Sequence, residues 1–245
     1  MKVSVLASGS KGNCTYIETL NHKILIDLGM TTRYIEEKLV EIGINPQKID
    51  MVFLTHNHTD HIKGLNVFVK KYNPIVYLTR ELNGCLGLEN KCFLEKNQTI
   101  DSLDIKTIKT SHDAEDSVGF VFEEENSSLV YITDTGYLNV KYKEILKNKN
   151  IYIIESNHDV EMLMNGPYRY DLKVRILGDR GHLSNKTTAE YLSDLVGDKT
   201  NKIILAHLSE ENNTKELAYN EVTSLIKDIE VIIATQKERT DLFEV

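Results

Sequence analysis

Short apolar runs of β-strand type open the chain. They cover residues 3–7, 15–18 and 23–27, and they are separated by a Gly/Ser-rich segment at 8–13 and a polar pair at 21–22. Such short intervening segments favour antiparallel pairing of consecutive strands. We therefore predict that the chain begins with an antiparallel meander.

Helical spacing follows this meander. Thr31 and Thr32 are favourable N-cap residues, and Ile35, Leu39 and Ile42 recur at intervals of three or four positions. This spacing places the three apolar side chains on one face of a helix. The pattern predicts a helix that packs into the core through that face.

Strands and helices then alternate through the rest of the chain. The predicted strands are 51–54, 75–78, 103–109, 119–124, 129–133, 151–155, 203–206 and 231–235, and the clearest helices are 61–72, 187–196 and 214–227. Two successive halves, each with strands followed by helices, indicate an α/β fold in which two sheets pack together with helices outside, an αββα sandwich. A chain of 245 residues without repeats or a Pro-rich linker is expected to form a single domain, residues 1–245.

The composition is ordinary for a globular protein. Hydrophobic residues make up 41% and charged residues 27% of the chain, and no apolar run approaches the roughly 20 residues that span a membrane. The amino terminus reaches polar residues too early for a signal peptide, so we expect a cytoplasmic protein without membrane contact. Cys14, Cys85 and Cys92 form no CxxC pair and are expected to be reduced thiols.

The formal net charge of −8 bears on possible partners. It disfavours loose binding to nucleic acid, because such binding rests on Lys and Arg that neutralise phosphates. A polyanionic substrate would have to be attracted locally, for example by metal ions. The sequence does not indicate an oligomeric state.

The densest group of chemically active residues follows the strand predicted at 51–54. His56, His58, Asp60 and His61 bring three imidazoles and a carboxylate into six positions. These groups are usual ligands of zinc and also suit manganese or iron. His56 and His58 can face one way, while Asp60 and His61 begin a helix and can face a second ion beside the first. The segment predicts a binuclear metal site.

Three later polar residues also follow apolar strands. They are His112, Asp134 and His207. A lone histidine is more often a packed or surface residue than a ligand. Strand ends at one edge of a sandwich can converge, however, and the order and context of these residues favour a ligand role for all three.

With these residues in place, the chain resembles the metallo-β-lactamase superfamily. The HxHxDH motif of that superfamily matches residues 56–61, and its later His, Asp and His match His112, Asp134 and His207. The resemblance implies that one ion is bound by His56, His58 and His112, that the other is bound by Asp60, His61 and His207, and that Asp134 bridges them. It also implies that Asp27 orients the ligand loop.

Segments 8–14, 155–159, 181–185 and 206–213 are similar to the bacterial YycJ/WalJ group, near the nuclease branch that contains tRNase Z and RNase J. This resemblance implies a phosphodiesterase that acts on nucleic acid, as a 5′ to 3′ exonuclease on DNA. The expected cofactors are two divalent ions, manganese or zinc with iron as a further possibility, which share a hydroxide. The chain is too short for the second domain of RNase J and has no long arm of the tRNase Z kind.

The Gly/Ser-rich segment supplies candidate substrate contacts. Ser8, Ser10, Lys11 and Asn13 are candidates because such a turn can leave backbone N–H groups free to approach an anion, and Lys11 adds positive charge. A plain hairpin turn explains the same residues equally well.

Further candidates lie in the second half of the chain. Asp60 and His182 are the candidate catalytic residues, with His182 able to contact the scissile phosphate or protonate the leaving oxygen. His182 could instead cap or pack a helix. Asn157 and His158 are candidate substrate contacts, although segment 157–159 can also cap the following helix.

An aromatic and apolar stretch around these candidates allows two interpretations. It runs through Tyr152, Met162, Met164, Tyr168 and Tyr170. The side chains either line a groove for bases or pack in the core, and packing is the commoner role for such residues.

Two rival functions remain open on the sequence alone. The same ions could hydrolyse a small molecule such as a lactone, thioester or β-lactam, because they polarise carbonyl groups equally well. A noncatalytic metal-binding regulator is the other rival. The number of candidate ligands disfavours it, because structural zinc sites usually close around one ion with four ligands.

Overall fold

The computed structural model describes residues 1–245, with fourteen strands and nine α-helices. The strands are β1 (Lys2–Ala7), β2 (Cys14–Glu18), β3 (Lys23–Ile26), β4 (Met51–Phe53), β5 (Ile75–Leu78), β6 (Lys91–Phe93), β7 (Asn97–Ile100), β8 (Leu103–Lys109), β9 (Val118–Glu124), β10 (Ser127–Ile132), β11 (Ile151–Glu155), β12 (Lys202–Ala206), β13 (Glu230–Ile233) and β14 (Phe243–Glu244). The helices are α1 (Thr32–Glu41), α2 (Thr59–Ile62), α3 (Leu65–Tyr72), α4 (Arg80–Leu86), α5 (Lys143–Leu146), α6 (Val160–Asn165), α7 (Tyr170–Leu177), α8 (Asn185–Leu195) and α9 (Lys215–Leu225).

The strands form two mixed sheets of seven strands each. The first has the order β14-β1-β2-β3-β4-β5-β6, and the second has the order β13-β12-β11-β10-β9-β8-β7. In the first sheet β1, β2 and β3 pair antiparallel, as predicted, and β3 to β6 pair parallel. In the second sheet β7 to β10 pair antiparallel and β10 to β13 pair parallel. Each half of the chain therefore builds one sheet, apart from β14, which returns to pair with β1.

Three apolar layers hold the sandwich together. The middle layer lies between the sheets and includes Phe53, Phe120 and Ile153. One outer layer packs helix residues such as Leu39 against the first sheet, and the other packs residues such as Leu192 against the second. The central parallel strands are buried on both faces, which explains why they appear in the sequence as continuous apolar runs. The predicted αββα sandwich is confirmed.

The helix predicted at 61–72 is broken in the structure, so that prediction is wrong in this detail. Helix α2 ends at Ile62 and α3 begins at Leu65. Between them the N–H of Gly64 donates to the carbonyl of Leu28 at 2.7 Å, and a Cβ at this position would lie 2.3 Å from the carbonyl oxygen of Met30. This close approach of two backbone segments interrupts the helix and fixes the ligand loop against the end of β3.

None of the helices combines the length and the apolar character that a membrane span requires. All three cysteines are free: Cys14 is buried, whereas Cys85 and Cys92 are exposed.

Candidate metal centre

The candidate ligands lie at one edge of the sandwich, just beyond the carboxyl ends of strands. His56 follows β4, His112 follows β8, Asp134 follows β10 and His207 follows β12. The structure brings together all seven side chains that the sequence predicted as ligands. The side chains meet there because β8, β10 and β12 run in the same direction in the second sheet and end at the edge where β4 of the first sheet also ends.

Two of these residues adopt an unusual backbone conformation. Asp134 and His207 have φ angles of 55° and 56°, and Asp27, which contacts the ligand loop, has a φ of 58°. Left-handed conformations are uncommon outside glycine and cost on the order of 1 kcal/mol or more each. Such strain concentrates at functional sites. Here it turns the chain sharply after three strands, and it accompanies two candidate ligands, Asp134 and His207, and the supporting carboxylate Asp27.

His56, His58 and His112 form one group within the cluster. One ring nitrogen from each lies within 4.8 Å of the others. Nε2 of His112 is 3.3 Å from Nδ1 of His58. Nδ1 of His56 contacts the hydroxyl of Thr55 at 3.0 Å, which leaves Nε2 facing the group. Three nitrogens in this arrangement suit one divalent ion.

Asp60, His61 and His207 form the second group. Oδ2 of Asp60 lies 3.4 Å from Nε2 of His61 and 3.6 Å from Nε2 of His207. Burial raises the pKa of the Asp60 carboxyl, but the two histidines outweigh this effect and hold it well below its usual range. Asp60 therefore remains a carboxylate.

Asp134 stands between the two groups. Its Oδ2 is 3.2 Å from Nε2 of His61, while its Oδ1 is 3.4 Å from Nε2 of His207 and 3.7 Å from Nε2 of His112. This carboxylate therefore faces both groups, which is the position that the resemblance implies for a bridging residue.

Buried atoms without partners test whether the cluster suits metal ions. Nε2 of His56, Nε2 of His207 and Oδ2 of Asp134 are buried and have no hydrogen-bond partner in the protein. Buried polar atoms almost always have partners, so several unpaired atoms at one place need an explanation. Imidazole nitrogens and carboxylate oxygens are ligands of zinc, manganese and iron. The donor set fits divalent ions.

Asp27 contacts the second group through the ring nitrogen of His61 that faces away from the cluster. Its carboxylate accepts hydrogen bonds from Nδ1 of His61 at 2.7 Å, from the Thr55 hydroxyl at 2.8 Å and from the Thr55 N–H at 2.9 Å. Complete burial raises the pKa of this carboxyl, and the charge of His61 opposes the rise. A carboxylate on Nδ1 leaves Nε2 of His61 directed at the cluster. Asp27 thus lies where the resemblance implies.

Sequence reasoning missed Glu155 as a member of the site. This fully buried carboxylate ends β11, and its Oε1 accepts from Nδ1 of His182 at 2.7 Å and from Nδ1 of His207 at 2.9 Å. Its Oε2 accepts from two backbone N–H groups. Burial alone raises the pKa of Glu155, but the charges and hydrogen bonds of the two histidines lower it to about 2. Its place at a strand end was the signal that could have revealed it.

His182 lies beside the cluster and is partly exposed. Nδ1 is held by Glu155 and lies 3.8 Å from Oδ1 of Asp134, and the ring centroid is 5.1 Å from that of His112. Burial lowers the pKa of His182, but the charge of Glu155 outweighs burial and raises it. The ring also lines a cavity next to the cluster. A histidine held in this way can carry a proton to a substrate in that cavity.

Most backbone N–H groups of the Gly/Ser-rich segment are occupied within the protein. The N–H of Gly9 donates to Oδ1 of Asn13, and the N–H of Lys11 donates to Oε1 of Gln236. The N–H groups of Gly12 and Asn13 donate to the carbonyls of Gly9 and Asp60. Only the N–H of Ser10 is left without a partner in the protein and could approach an anion.

The four substrate candidates of this segment lie in different surroundings. The buried hydroxyl of Ser8 accepts from the N–H of His207 at 2.7 Å, and the amide of Asn13 lies 3.1 Å from Nε2 of His61. Lys11 is exposed and pairs with Glu210. Ser10 is exposed and lines the cavity beside His182. Ser8 and Asn13 thus contact the candidate ligands His207 and His61, whereas Ser10 faces the cavity.

Asn157 and His158 are both buried. The side chain of Asn157 donates to the carbonyl of His207 at 2.9 Å and also lines the cavity. Neither ring nitrogen of His158 has a partner, and burial lowers its pKa to about 4. The following helix is capped by Asp159, whose carboxylate accepts from the N–H of Met162 at 2.8 Å. The capping alternative therefore applies to Asp159 rather than to His158.

The aromatic stretch divides between core and cavity. Tyr152 is fully buried, and its hydroxyl donates to the carbonyl of Leu146 at 2.7 Å, so it belongs to the core. Tyr168 lines the cavity beside His182, and Tyr170 is largely exposed.

Comparisons with known proteins agree with this geometry. The family model described as the metallo-beta-lactamase superfamily matches residues 7–84. Exodeoxyribonuclease WalJ of Streptococcus pneumoniae is 40% identical over 231 residues, which cover 89% of this chain and 85% of WalJ. The chain belongs to the WalJ/YycJ family of the metallo-β-lactamase superfamily. Exodeoxyribonuclease YycJ of Bacillus anthracis, a second relative in this family, is 37% identical over 234 residues, covering 92% of this chain and 89% of YycJ.

A solved structure supports the fold of this WalJ/YycJ family member. The metallo-β-lactamase fold protein YhfI from Bacillus subtilis superimposes with a TM-score of 0.74, covering 98% of this chain and 99% of YhfI at 16% sequence identity. The family resemblance inferred from the HxHxDH motif is confirmed.

Proposed function

We propose that this WalJ/YycJ family member is a metal-dependent exonuclease that hydrolyses phosphodiester bonds of DNA from the 5′ end. Its relatives WalJ and YycJ are exodeoxyribonucleases and align with most of the chain. The observation that carries the proposal is that a cavity beside the His/Asp cluster, lined by His182, contains Arg180 with free donors as well as the ion pair of Arg175 and Asp113. A phosphodiester requires positive charge beside the reacting centre, whereas a neutral lactone or thioester does not.

The proposed cofactors are two divalent ions, manganese or zinc, with iron as a further possibility. The residues that would hold them are His56, His58 and His112 for one ion, Asp60, His61 and His207 for the other, and Asp134 between them. Such ions activate water as a nucleophile near neutral pH and neutralise charge on the nonbridging phosphate oxygens.

The side chains around the cluster have separate roles in this proposal. Glu155 holds Nδ1 of His182, so that the other ring nitrogen can donate a proton to the departing sugar oxygen. The charge of Glu155 raises the pKa of His182, which favours the protonated ring that this role requires. Asp60 remains a carboxylate and can accept a hydrogen bond from the attacking water. Asp27 fixes the orientation of His61.

A substrate panel tests the proposal against its rival. Purified protein is incubated with manganese or zinc and offered single-stranded DNA, duplex DNA, RNA of the same sequence, and a set of lactones and thioesters. We expect metal-dependent release of nucleotides from DNA that is lost in His58→Ala. The variant His22→Ala is the control, because His22 pairs with Asp50 and Asp101 away from the cluster. Hydrolysis of a lactone or thioester with no action on DNA would replace the nuclease by a small-molecule hydrolase.

A further inference from the structure

A small cavity adjoins the cluster of candidate metal ligands on the side of His182. Its volume is about 200 Å³, and its walls include Ser10, Asp113, Tyr168, Arg175, Arg180 and His182. This is smaller than the roughly 300–1,000 Å³ of sites that enclose drug-sized ligands. The cavity therefore suits one part of a longer substrate whose remainder lies outside.

Arg180 differs from the other cation of this cavity. Its Nε donates to the carbonyl of His112 at 3.1 Å, while its terminal amino groups have no hydrogen-bond partner in the protein. Arg175, by contrast, is engaged with the carboxylate of Asp113, to which its Nε donates at 2.6 Å. Arg180 thus holds a guanidinium beside a candidate metal ligand with donors left over. The N–H donors of a planar guanidinium are spaced to form hydrogen bonds with two oxygens of one phosphate.

The backbone that carries Arg180 is fixed. The N–H of Gly181 donates to the carbonyl of Gly178 at 2.8 Å, and the N–H of His182 donates to the carbonyl of Ile176 at 3.0 Å. A Cβ at Gly181 would lie 2.1 Å from the carbonyl oxygen of Ile176, so the turn packs against helix α7 too closely for any side chain at this position. The fixed backbone and the bond from Nε to the His112 carbonyl both restrict the exposed Arg180 side chain, so less freedom is lost when it binds an anion.

Tyr168 supplies an aromatic face to the same cavity. Its side chain is half-buried, and its hydroxyl has no hydrogen-bond partner in the protein. The loop before it is held by the buried Lys173, whose ammonium donates to the carbonyls of Met164 and Gly166 at 2.7 and 2.8 Å. Aromatic side chains in this setting stack against unpaired bases.

We propose that this cavity is a nucleotide subsite in which Arg180 binds the phosphate next to the scissile one and Tyr168 stacks on the base of that nucleotide. The inference rests on the proposed nuclease function and names residues that would bind its substrate.

The first test compares two arginine variants of the metal-loaded protein on a single-stranded DNA oligonucleotide. Arg180→Met should raise KM roughly tenfold or more, and it should flatten the dependence of log Kd on log salt by about 0.7, the slope of one phosphate contact. Arg169→Met removes the same charge from an exposed arginine that pairs with Asp171 outside the cavity, and it should leave both quantities near wild type. Equal KM and salt slope for the two variants would overturn the proposal.

The second test addresses Tyr168. Tyr168→Phe keeps the ring and should bind the oligonucleotide as wild type does, whereas Tyr168→Leu should bind roughly fivefold or more weakly. On an oligonucleotide that lacks the base at this position, wild type and Tyr168→Leu should bind equally. Equal losses in Tyr168→Phe and Tyr168→Leu, or a loss that persists on the abasic strand, would show that the ring does not stack on a base.

The subsite and the nuclease proposal can fail separately. Binding that depends on Arg180 without any cleavage by the wild-type protein would reject the nuclease and keep a nucleotide site. Cleavage that Arg180→Met leaves unchanged would reject the subsite and keep the nuclease.

Discussion

Nδ1 of His61 donates to the carboxylate of Asp27 at 2.7 Å in a pair that is fully buried. Asp27 follows β3 and His61 lies in α2, so this bond joins the early strands to the ligand loop. It also leaves Nε2 of His61 3.2 Å from Asp134. The position of one candidate ligand is thus set by a carboxylate that does not itself face the cluster.

Asp27→Asn should weaken metal binding about 10- to 100-fold, because the amide no longer fixes Nε2 of His61 towards the cluster. Competition with a coloured chelator measures the change. Asp50→Asn is the matched control, since Asp50 contacts Nδ1 of His22 at 2.8 Å at a remote surface site. Equal metal affinity in the two variants would contradict the positioning role of Asp27.

Removal of metal should lower thermal stability. The cluster leaves His56, Asp134 and His207 with buried atoms that lack protein partners, and ions that bind only the folded state stabilise it by about 2.7 kcal/mol at 100 times Kd. We expect EDTA to lower Tm, and manganese or zinc to restore it with two ions per chain by elemental analysis. One ion per chain, or a Tm that EDTA does not change, would argue against the binuclear site.

Gly29→Ala should disrupt the ligand loop. A Cβ at Gly29 would lie 1.6 Å from the carbonyl oxygen of Asp60, so backbone must move and the free energy of unfolding should fall by about 1–3 kcal/mol. Gly84→Ala is the control, because nothing lies within 4 Å of its Cβ and alanine favours the helix. Denaturant unfolding measures the free energy of unfolding of the two variants, and elemental analysis measures the number of metal ions that each binds. An intact, metal-loaded Gly29→Ala protein would show that this contact is not tight.

At saturating metal, Glu155→Gln and His182→Ala should each reduce kcat about 10²- to 10⁴-fold on DNA. Glu155→Gln should also weaken metal binding, because Glu155 accepts from Nδ1 of the candidate ligand His207. Because Glu155 acts on the proton transfer through His182, the double variant at saturating metal should be little slower than the slower single variant. Single-turnover rates with metal-saturated proteins complete this double-mutant cycle. Fully additive losses would indicate that the two residues act independently.

The convergence of the seven candidate ligands could be predicted because they lie in segments that follow apolar strands, and such strand ends are visible in the sequence. Glu155 also ends a strand, but its bonds reach histidines 27 and 52 positions away, and sequence spacing does not reveal such distant partners. Sequence spacing also does not reveal which N–H groups of the Gly/Ser-rich segment are occupied, since the N–H of Lys11 donates to a side chain 225 positions later. The helix break at Gly64 likewise depends on a contact with Leu28.

A time course with metal-loaded protein and single-stranded or duplex DNA labelled at its 5′ end tests the proposed exonuclease most directly. We predict that labelled mononucleotide is the first product, that no labelled fragments of intermediate length accumulate, and that His58→Ala releases none. A ladder of labelled fragments that shortens from the 3′ end, or no cleavage with either manganese or zinc, would contradict a 5′ to 3′ exonuclease.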